Sequence, residues 1–309
     1  MQIIVLGSAA GGGFPQWNCN TELSRSARYG YRTTLARTQS SIAVSANGKD
    51  FLLCNASPDL RQQVNQTPSL HPSGQLRDSP IRAVIVTNGD VDHIAGLLTM
   101  RESHPFNLYA SVRVLEVINN NSIFNVLNPD YVQRNTMHLE QVFSVRNVTG
   151  ESIGLEVTAF AVPGKIALYL EDATDGDNYG SRDGDTIGLK IKDTDNGKEF
   201  FYIPGCADID AELAAKIKGA KLVFFDGTVF EDDDMQVAGV GKKTGMRMGH
   251  ISMCGQDGSI NKFEQLQIER KVYIHINNTN QVLNRDSSQN EFVTSAGWEV
   301  AYDGMEIEL

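Results

Sequence analysis

The chain has 309 residues, a formal net charge of −11, 41% hydrophobic and 21% charged residues, which is the composition of a globular protein. The negative charge argues against binding to nucleic acid or to an anionic membrane surface. No apolar run approaches the roughly 20 residues needed for membrane insertion. Residues 1–6 lack a basic leader and predict a first strand, so we expect a cytoplasmic protein. No repeat or Pro-rich linker divides the chain, which predicts a single domain over residues 1–309.

Strand signals recur from one end of the chain to the other, with helical signals between them. Short apolar or β-branched runs bounded by turn residues predict strands at Ile3–Leu6, Ser41–Val44, Phe51–Cys54, Ala83–Val86, Leu108–Ala110, Leu155–Ala161, Thr186–Ile191, Phe200–Ile203, Leu222–Phe225 and Val272–Ile276. Asp208 is the predicted cap of a helix that ends at Gly219. Two alternating runs around Asp303-Gly304 predict a C-terminal β-hairpin. This mixture predicts β-sheets with helices outside them.

Two segments rich in Asp and Gly are predicted to be surface loops. The first runs over residues 170–185 and the second over residues 231–245. Loops of this composition are usually solvated connections, but active-site lids have the same composition. The sequence leaves both interpretations open.

The four cysteines lie far apart and form no Cys-x-x-Cys pair. With no leader, we expect them to be reduced and buried, and their spacing is not that of a zinc finger. The glycine-rich run after the first strand matches neither G-x-G-x-x-G nor a P-loop, so we do not predict nucleotide binding there.

The most informative stretch is Asn88-Gly89-Asp90-Val91-Asp92-His93, directly after a predicted buried strand. Ligands collect at strand ends in α/β proteins, and the carboxylates of Asp90 and Asp92 suit the first turn of a following helix. An Asp-rich turn that only caps the helix is the alternative. Two further histidines belong to distinctive contexts: His275 lies inside the predicted strand Val272–Ile276, where an ordinary core histidine is the alternative to a ligand, and His250 follows a glycine.

Taken together, these residues resemble the metallo-β-lactamase superfamily, whose metal loop reads His-x-His-x-Asp-His. Here Asn88 and Asp90 stand where that loop has its first two histidines, and Cys206 stands where a bridging aspartate is expected. These departures argue against a dinuclear zinc hydrolase. The resemblance implies an αβ/βα sandwich of two mixed β-sheets flanked by helices.

The resemblance extends to the pyrroloquinoline quinone (PQQ) biosynthesis protein B family and covers the whole chain. It rests on seven blocks of sequence: the runs from Gly7 to Cys19, Arg37 to Ala43, Asn55 to Arg61, Phe225 to Thr228, Gly241 to Gly245, Met248 to His250 and Ile274 to Asn280. The family commonly has a Cys-x-Cys-x-x-Cys cluster. Only Cys19 of that cluster is present here, with Thr21 and Ser24 at the other two positions, so no structural cysteine zinc is expected.

If Asp90, Asp92, His93 and His275 converge on one metal, their oxygen-rich ligand set suits Fe(II) or Mn(II) better than zinc. Zn(II) or Mn(II) in the isolated protein would also be compatible. The resemblance implies hydroxylation of the tyrosine ring of a cross-linked glutamate-tyrosine precursor of PQQ, with Fe(II) as cofactor and O₂ as co-substrate. His250 would then be a catalytic proton shuttle. Arg247 and Lys243 would bind the substrate carboxylates.

Three classes of function stay open on the sequence. The first is this oxygenase. The second is a metal-dependent hydrolase, disfavoured by Asn88, Asp90 and Cys206. The third is a non-catalytic carrier involved in transport of PQQ or its precursor. The expected partners are the di-amino-acid precursor and other PQQ biosynthesis proteins, and a homodimer is left open.

Overall fold

The computed structural model describes residues 1–172 and 181–309. Its strands, in chain order, are β1 (Gln2–Gly7), β2 (Ser41–Ser45), β3 (Phe51–Cys54), β4 (Ile81–Ile85), β5 (Phe106–Ser111), β6 (Val132–Met137), β7 (Val142–Arg146), β8 (Ser152–Ala161), β9 (Ile187–Asp193), β10 (Glu199–Ile203), β11 (Leu222–Asp226), β12 (Arg270–Ile274), β13 (Trp298–Val300) and β14 (Glu306–Glu308). They form two seven-stranded sheets, ordered β14-β1-β2-β3-β4-β5-β6 and β13-β12-β11-β10-β9-β8-β7.

Helices flank the two sheets. The α-helices are α1 (Glu22–Arg28), α2 (Leu60–Gln66), α3 (Val91–Ile94), α4 (Val112–Asn120), α5 (Ala211–Ile217), α6 (Asp234–Val237), α7 (Gly245–Met248), α8 (Ser259–Phe263) and α9 (Ser288–Ser295). Short 3₁₀ helices cover Pro68–Leu70, Ala95–Met100, Ser122–Val126, Leu168–Leu170 and Gln281–Leu283. Within the described residues, no helix combines the length and the apolar character needed to span a bilayer.

Both sheets are mixed, which confirms the predicted sandwich. Strands β3 to β6 run parallel in the first sheet, and β10 to β13 run parallel in the second. The remaining strand pairs are antiparallel. The central parallel strands are covered on both faces, and their sequences are correspondingly rich in apolar residues. Every residue of β11, for example, is buried.

Three apolar clusters hold these layers together. The central one lies between the sheets and includes Leu52 of the first sheet and Leu155 and Phe224 of the second. The other two pack each sheet against its own helices. One contains Val114 and Ile118 of α4, and the other includes residues of α5, α8 and α9. The sandwich therefore has a shared core with a helical layer on each side.

The predicted C-terminal hairpin is wrong. Strand β13 pairs parallel with β12 in the second sheet, whereas β14 pairs antiparallel with β1 in the first. The turn at Asp303-Gly304 therefore carries the chain from one sheet to the other. Asp303 fixes it there, because its carboxylate accepts hydrogen bonds from the backbone N–H groups of Ser8 and Thr38 at 3.0 and 2.6 Å. A local pattern of alternating residues predicts two strands but does not indicate whether they pair with each other or lie in different sheets.

Two helix predictions need smaller corrections. Asp210, not Asp208, caps α5, because its side chain accepts the hydrogen bond from the N–H of Leu213 at 2.8 Å. The helix predicted after Asp92 is one turn of α-helix, α3, which continues as the 3₁₀ helix Ala95–Met100. The predicted loop 231–245 contains α6. The predicted loop 170–185 is described only at residues 170–172 and 181–185, and the lid prediction for its centre lies outside the described residues.

Candidate metal centre

The candidate site lies where the ends of β4, β11 and β12 meet at one edge of the sandwich. Asp92 and His93 follow β4, Thr228 follows β11, and His275 directly follows β12. The β4 end belongs to one sheet and the other two belong to the opposite sheet. The site therefore exists only when the two sheets are packed together.

Three side chains form a group that could hold a metal ion. One ligand atom from each of Asp92, His93 and His275 lies within 4.8 Å of the others. Asp92 Oδ2 is 3.0 Å from Nε2 of His275, and the imidazoles of His93 and His275 stack with ring centroids 5.3 Å apart. The Nε2 atom of His93 is buried and has no hydrogen-bond partner among the described residues. A buried donor or acceptor is rarely left without a partner, so the group fits a bound cation.

Hydrogen bonds at the opposite ring nitrogens orient both imidazoles. The Nδ1–H of His93 donates to Asn88 Oδ1 at 2.6 Å, which leaves Nε2 with its lone pair. The Thr228 hydroxyl donates its proton to Asp226 Oδ1 at 2.7 Å, so its oxygen accepts the Nδ1–H of His275 at 2.8 Å. His93 therefore presents an unprotonated Nε2, the form in which imidazole binds metals, whereas the Nε2–H of His275 donates to Asp92 and is the proton that a bound metal would displace. At a position where the superfamily loop has a histidine, Asn88 therefore orients the ring of His93 through its side-chain oxygen.

Asp226 and His250 form a second group next to the first, with His275 shared between them. His250 Nδ1 lies 2.6 Å from Asp226 Oδ2, and the rings of His250 and His275 stack at 5.2 Å. The Asp226 carboxylate also accepts hydrogen bonds from the N–H groups of Cys206 and Thr228 and from the Thr228 hydroxyl. Because its oxygens are already engaged, Asp226 orients the neighbouring rings and is poorly placed to act as a metal ligand.

Asp90 lies in the same cavity but outside the group of three ligands. Its Oδ1 accepts a hydrogen bond from the backbone N–H of Leu168 at 3.1 Å. Burial and the neighbouring charge of Asp92 raise the pKa of Asp90. The sequence predicts four ligands; the structure brings three of them together and places the fourth beside them.

The charges of the site favour a bound cation. Burial raises the pKa of Asp92, but His93 and His275 lower it more, so the carboxyl is held ionised well below its usual range. Burial, helped by the neighbouring histidines, lowers the pKa of His93 to about 4. Burial alone would lower the pKa of His275, yet the hydrogen bond to Asp92 raises it above its usual value. Ionised Asp92 and neutral His93 are already in the forms that ligate a metal, and metal binding would release a proton from His275.

A cavity of about 270 Å³ opens onto these residues. Its lining includes Asp90, His250, Thr228 and Lys165 as well as the three ligands. The segment Leu168–Leu170 covers one side, where the Tyr169 hydroxyl donates to the carbonyl of Gly89 at 2.7 Å. A small organic molecule would fit beside the ligand group.

Of the two predicted substrate anchors, Arg247 belongs to an ion-pair cluster with Glu171 and Lys165, and neither Arg247 nor Lys243 is among the described residues that line the cavity. Arg247 donates two hydrogen bonds to Glu171, at 3.1 and 2.7 Å, and Lys165 Nζ lies 2.5 Å from Glu171 Oε1. Glu171, Arg247 and Lys165 also affect the pKa of Lys243, which burial lowers. Lys165 is a cation that the sequence reasoning missed, and no local pattern marks it.

Hydrogen bonds hold the N-terminal loop around Cys19. Thr21 caps α1 by accepting the N–H of Ser24, and Arg28 donates to the carbonyls of Gln16 and Cys19. The Cys19 Sγ lies 3.4 Å from the Thr21 hydroxyl oxygen. All four cysteines are free, and Cys206 donates from Sγ to the carbonyl of Asp208 at 2.9 Å.

Comparisons with known proteins agree with this architecture. A family described as the beta-lactamase superfamily domain matches residues 51–276. The coenzyme PQQ synthesis protein B of Bradyrhizobium diazoefficiens is 51% identical, and that of Methylorubrum extorquens is 50% identical, each over 100% of both chains. The crystal structure of Zn(2+)-bound PqqB from Methylobacterium extorquens matches with a TM-score of 0.93, 50% identity and full coverage of both chains. A diphosphatase of the PhnP family, 19% identical with a TM-score of 0.68 over 100% of this chain and 97% of its own, shares the fold.

Proposed function

The chain belongs to the coenzyme PQQ synthesis protein B family, and from this premise we propose that it acts in PQQ biosynthesis as an Fe(II)- and O₂-dependent hydroxylase. The proposed substrate is a di-amino-acid precursor in which glutamate and tyrosine side chains are cross-linked. The reaction adds oxygen to the tyrosine ring. The observation that carries the proposal is the group of Asp92, His93 and His275 beside a cavity of about 270 Å³.

Two imidazoles and one carboxylate are the donor set that non-haem Fe(II) oxygenases use, with open positions for O₂ and substrate. When bound, Fe(II) would supply the one-electron chemistry that O₂ requires. For each hydroxylation, one oxygen atom enters the ring and the other leaves as water. That balance needs two electrons and two protons from a small-molecule reductant. The related crystal structure contains Zn(2+). We propose that Fe(II), and not Zn(II), supports the reaction when it occupies the site.

The proposed role of His250 is to accept and return the proton of the substrate. Its Nδ1–H donates to Asp226, so Nε2 is left as the basic nitrogen beside the cavity. Thr228 contacts the Nδ1 atoms of both His250 and His275, at 3.1 and 2.8 Å. The proton-accepting ring and the metal-binding ring are therefore held by a common partner.

The proposed role of Lys165, Arg247 and Lys243 is to bind the carboxylates of the substrate. Glu171 already pairs with two of these cations, which shows that their donors suit a carboxylate. A substrate carboxylate would compete with Glu171 for the same hydrogen bonds. Such positioning would place the tyrosine ring in the cavity.

The hydrolase alternative finds little support in the side chains. Asn88 uses its carbonyl oxygen to orient His93, and Cys206 turns its thiol to the backbone of Asp208. Neither is arranged to hold the second ion of a dinuclear site. The carrier alternative is decided by the experiment below.

The test is mass spectrometry of the precursor after aerobic incubation with Fe(II)-loaded protein and a reductant. We expect a gain of about 16 or 32 mass units, absent when Zn(II) replaces Fe(II) and absent in the Asp92→Ala variant. If iron and substrate both bind but the mass does not change, the hydroxylase proposal is wrong. Retained binding of PQQ by His275→Ala would then favour a carrier.

A further inference from the structure

A second cavity, of about 590 Å³, lies on the other side of the glycine-rich run. Ala10 and Gly11 of that run line the metal cavity, whereas Gly12 and Gly13 line the second one. The second cavity is also lined by Phe14, Arg37, Asp59 and Asp303. None of these four residues belongs to the metal centre described above.

Arg37 is the unusual member of this lining because it is buried and its Nε–H has no hydrogen-bond partner among the described residues. The residue is only 5% exposed. Its backbone is fixed, since its N–H and C=O both pair with Phe14. Its guanidinium makes one long hydrogen bond, from Nη1 to Ser8 Oγ at 3.3 Å, and Nε has no partner among the described residues. A guanidinium offers five N–H donors, and buried donors are normally satisfied.

No described carboxylate lies within 4.0 Å of this guanidinium to form an ion pair. The charge of Asp303 acts on Arg37 from a longer distance. The two oxygens of Asp303 already accept hydrogen bonds from the N–H and hydroxyl groups of Ser8 and Thr38 at 2.6–3.0 Å. The Ser8 hydroxyl lies between Arg37 and Asp303 and contacts both. Asp303 therefore steadies Arg37 through Ser8 and leaves its other donors open.

Burial is the main reason that the pKa of Arg37 falls, to about 10, and the charge of Arg285 lowers it further while Asp303 raises it. The guanidinium is still protonated at neutral pH. A buried cation with unmet donors is costly unless an anion or a polar ligand pairs with it.

We propose that this cavity is a binding site for a small monocarboxylate, which Arg37 would hold through the N–H donors of its two Nη atoms. The planar guanidinium matches a carboxylate, which can accept two parallel hydrogen bonds. Asp59 and Asp303 also face the cavity, and their charge disfavours dianions such as phosphate. This site is separate from the one that would bind the PQQ precursor, and the inference does not depend on the proposed hydroxylase activity.

A ligand bound in the second cavity would also stabilise the glycine-rich loop, which borders the metal centre. The backbone N–H of Gly12 donates to Gln39 Oε1, and Gln39 donates from its N–H and Nε2 to Asp59 Oδ2, both at 2.9 Å. A ligand on Arg37 would add one more contact to this network. Gly11, the chain neighbour of Gly12, lies against Asp92.

The test follows the Nε–H resonance of Arg37 by NMR in wild-type protein labelled with ¹⁵N-arginine. The Arg37→Lys spectrum identifies the resonance by its loss. Sodium acetate is added to tens of millimolar at constant ionic strength, and a parallel titration uses sodium phosphate. We expect a saturable shift with acetate, with Kd in the millimolar range, and at least about fivefold weaker binding of phosphate. The resonance of Arg101, whose side chain is 65% exposed, is the internal control.

The Asp59→Asn variant separates the charge argument from the fold. It keeps an oxygen that accepts from Gln39 but removes the charge, so acetate binding should persist and phosphate should approach acetate in affinity. If the Arg37 Nε–H resonance of the wild-type protein does not shift when acetate is added, the proposal is wrong. So would a shift that never saturates, which would indicate an adventitious ion only, or equal affinity for acetate and phosphate in wild type.

Discussion

Asp90 and Asp92 are two positions apart in one loop, yet the structure gives them different surroundings. Asp92 contacts His275 and belongs to the ligand group, whereas Asp90 accepts a backbone hydrogen bond from Leu168. An asparagine at position 90 could keep that hydrogen bond, because its carbonyl oxygen is also an acceptor. An asparagine at position 92 would remove the charge that a cation needs.

We therefore expect Asp92→Asn to lower Fe(II) affinity more than about 100-fold and Asp90→Asn less than about 10-fold. Competition with a chromophoric chelator measures both affinities under anaerobic conditions, and circular dichroism checks that each variant is folded. Equal losses in the two variants would mean that Asp90 is a ligand, as the sequence predicts.

The hydroxyl oxygen of Thr228 orients the ring of His275. Its hydroxyl oxygen accepts from His275 Nδ1, and this sets which nitrogen faces Asp92. Thr228→Val removes the hydroxyl with little change of shape, while Thr228→Ser keeps it. We expect metal affinity to fall about 10–100-fold in the valine variant and to stay near wild type in the serine variant. A serine variant as weak as the valine one would assign the effect to packing.

Among the elements, the segment that ends at Glu171 is tied to α7 by ion pairs. Hydrogen bonds from Arg247, and to a lesser degree from Lys165, lower the pKa of Glu171 to about 2. A carboxyl whose pKa is lower in the folded state stabilises the fold above its unfolded pKa of about 4.5, and this contribution is lost as the pH falls through about 2.

Glu171→Gln should therefore lower the free energy of unfolding of the metal-free protein by about 1.5–3 kcal/mol at neutral pH. The difference from wild type should shrink as the pH is lowered from about 4.5 towards 2. Urea unfolding at a series of pH values measures it. Glu102→Gln, in an exposed pair with Arg101, is the matched control and should change stability little at any pH. A Glu171→Gln deficit that is independent of pH would contradict the ion-pair explanation.

The 3₁₀ helix after His93 packs directly on the loop that follows β3. A Cβ on Gly96 would lie 2.1 Å from the carbonyl oxygen of Ser57, whereas a Cβ on Gly89 would meet Val117 at 3.5 Å. Gly96 also donates its N–H to the carbonyl of Ala56 at 2.8 Å.

We expect Gly96→Ala to destabilise the protein by about 2–4 kcal/mol and Gly89→Ala by less than about 1 kcal/mol. Because the helix positions His93, the first substitution should also weaken metal binding. Chemical denaturation of the two variants in parallel measures the difference. Comparable stability would show that the backbone at Gly96 can move away without cost.

For the molecule as a whole, the apolar cluster between the sheets joins the N-terminal and C-terminal halves. It includes Leu52, Leu155 and Phe224, so neither sheet has a covered inner face without the other. The prediction of a single domain over residues 1–309 then has a thermodynamic consequence. Both sheets should unfold together.

We expect one cooperative transition for the metal-free protein, with the calorimetric and van't Hoff enthalpies in agreement. In a Trp17→Phe variant, fluorescence reports only Trp298, which is buried in the second sheet, while Trp17 is 86% exposed. The fluorescence transition should coincide with that of far-ultraviolet circular dichroism. Two separate transitions would show that the chain consists of two units. Added metal should raise the midpoint, because it binds the folded form.

Local patterns predicted most of the buried strands because a strand that is covered on both faces is mostly apolar, as β4 and β11 are. They missed β6, whose residues are mostly polar, and β7; each of these two strands lies at the edge of its sheet. The full-length resemblance predicted the fold and the family correctly. The motif around Asp92 and His93 was visible because its members are adjacent in the chain.

The tertiary structure decided which distant side chains meet. His275 lies 183 positions after Asp92, and their 3.0 Å contact depends on the packing of one sheet against the other. The same packing gives Asn88 and Thr228 their orienting roles and sends the two C-terminal strands to different sheets. It also buries Arg37 beside a cavity and leaves its Nε–H without a partner among the described residues. Short-range periodicity and spacing record which face of an element is covered, whereas ligand geometry depends on long-range contacts that no local pattern encodes.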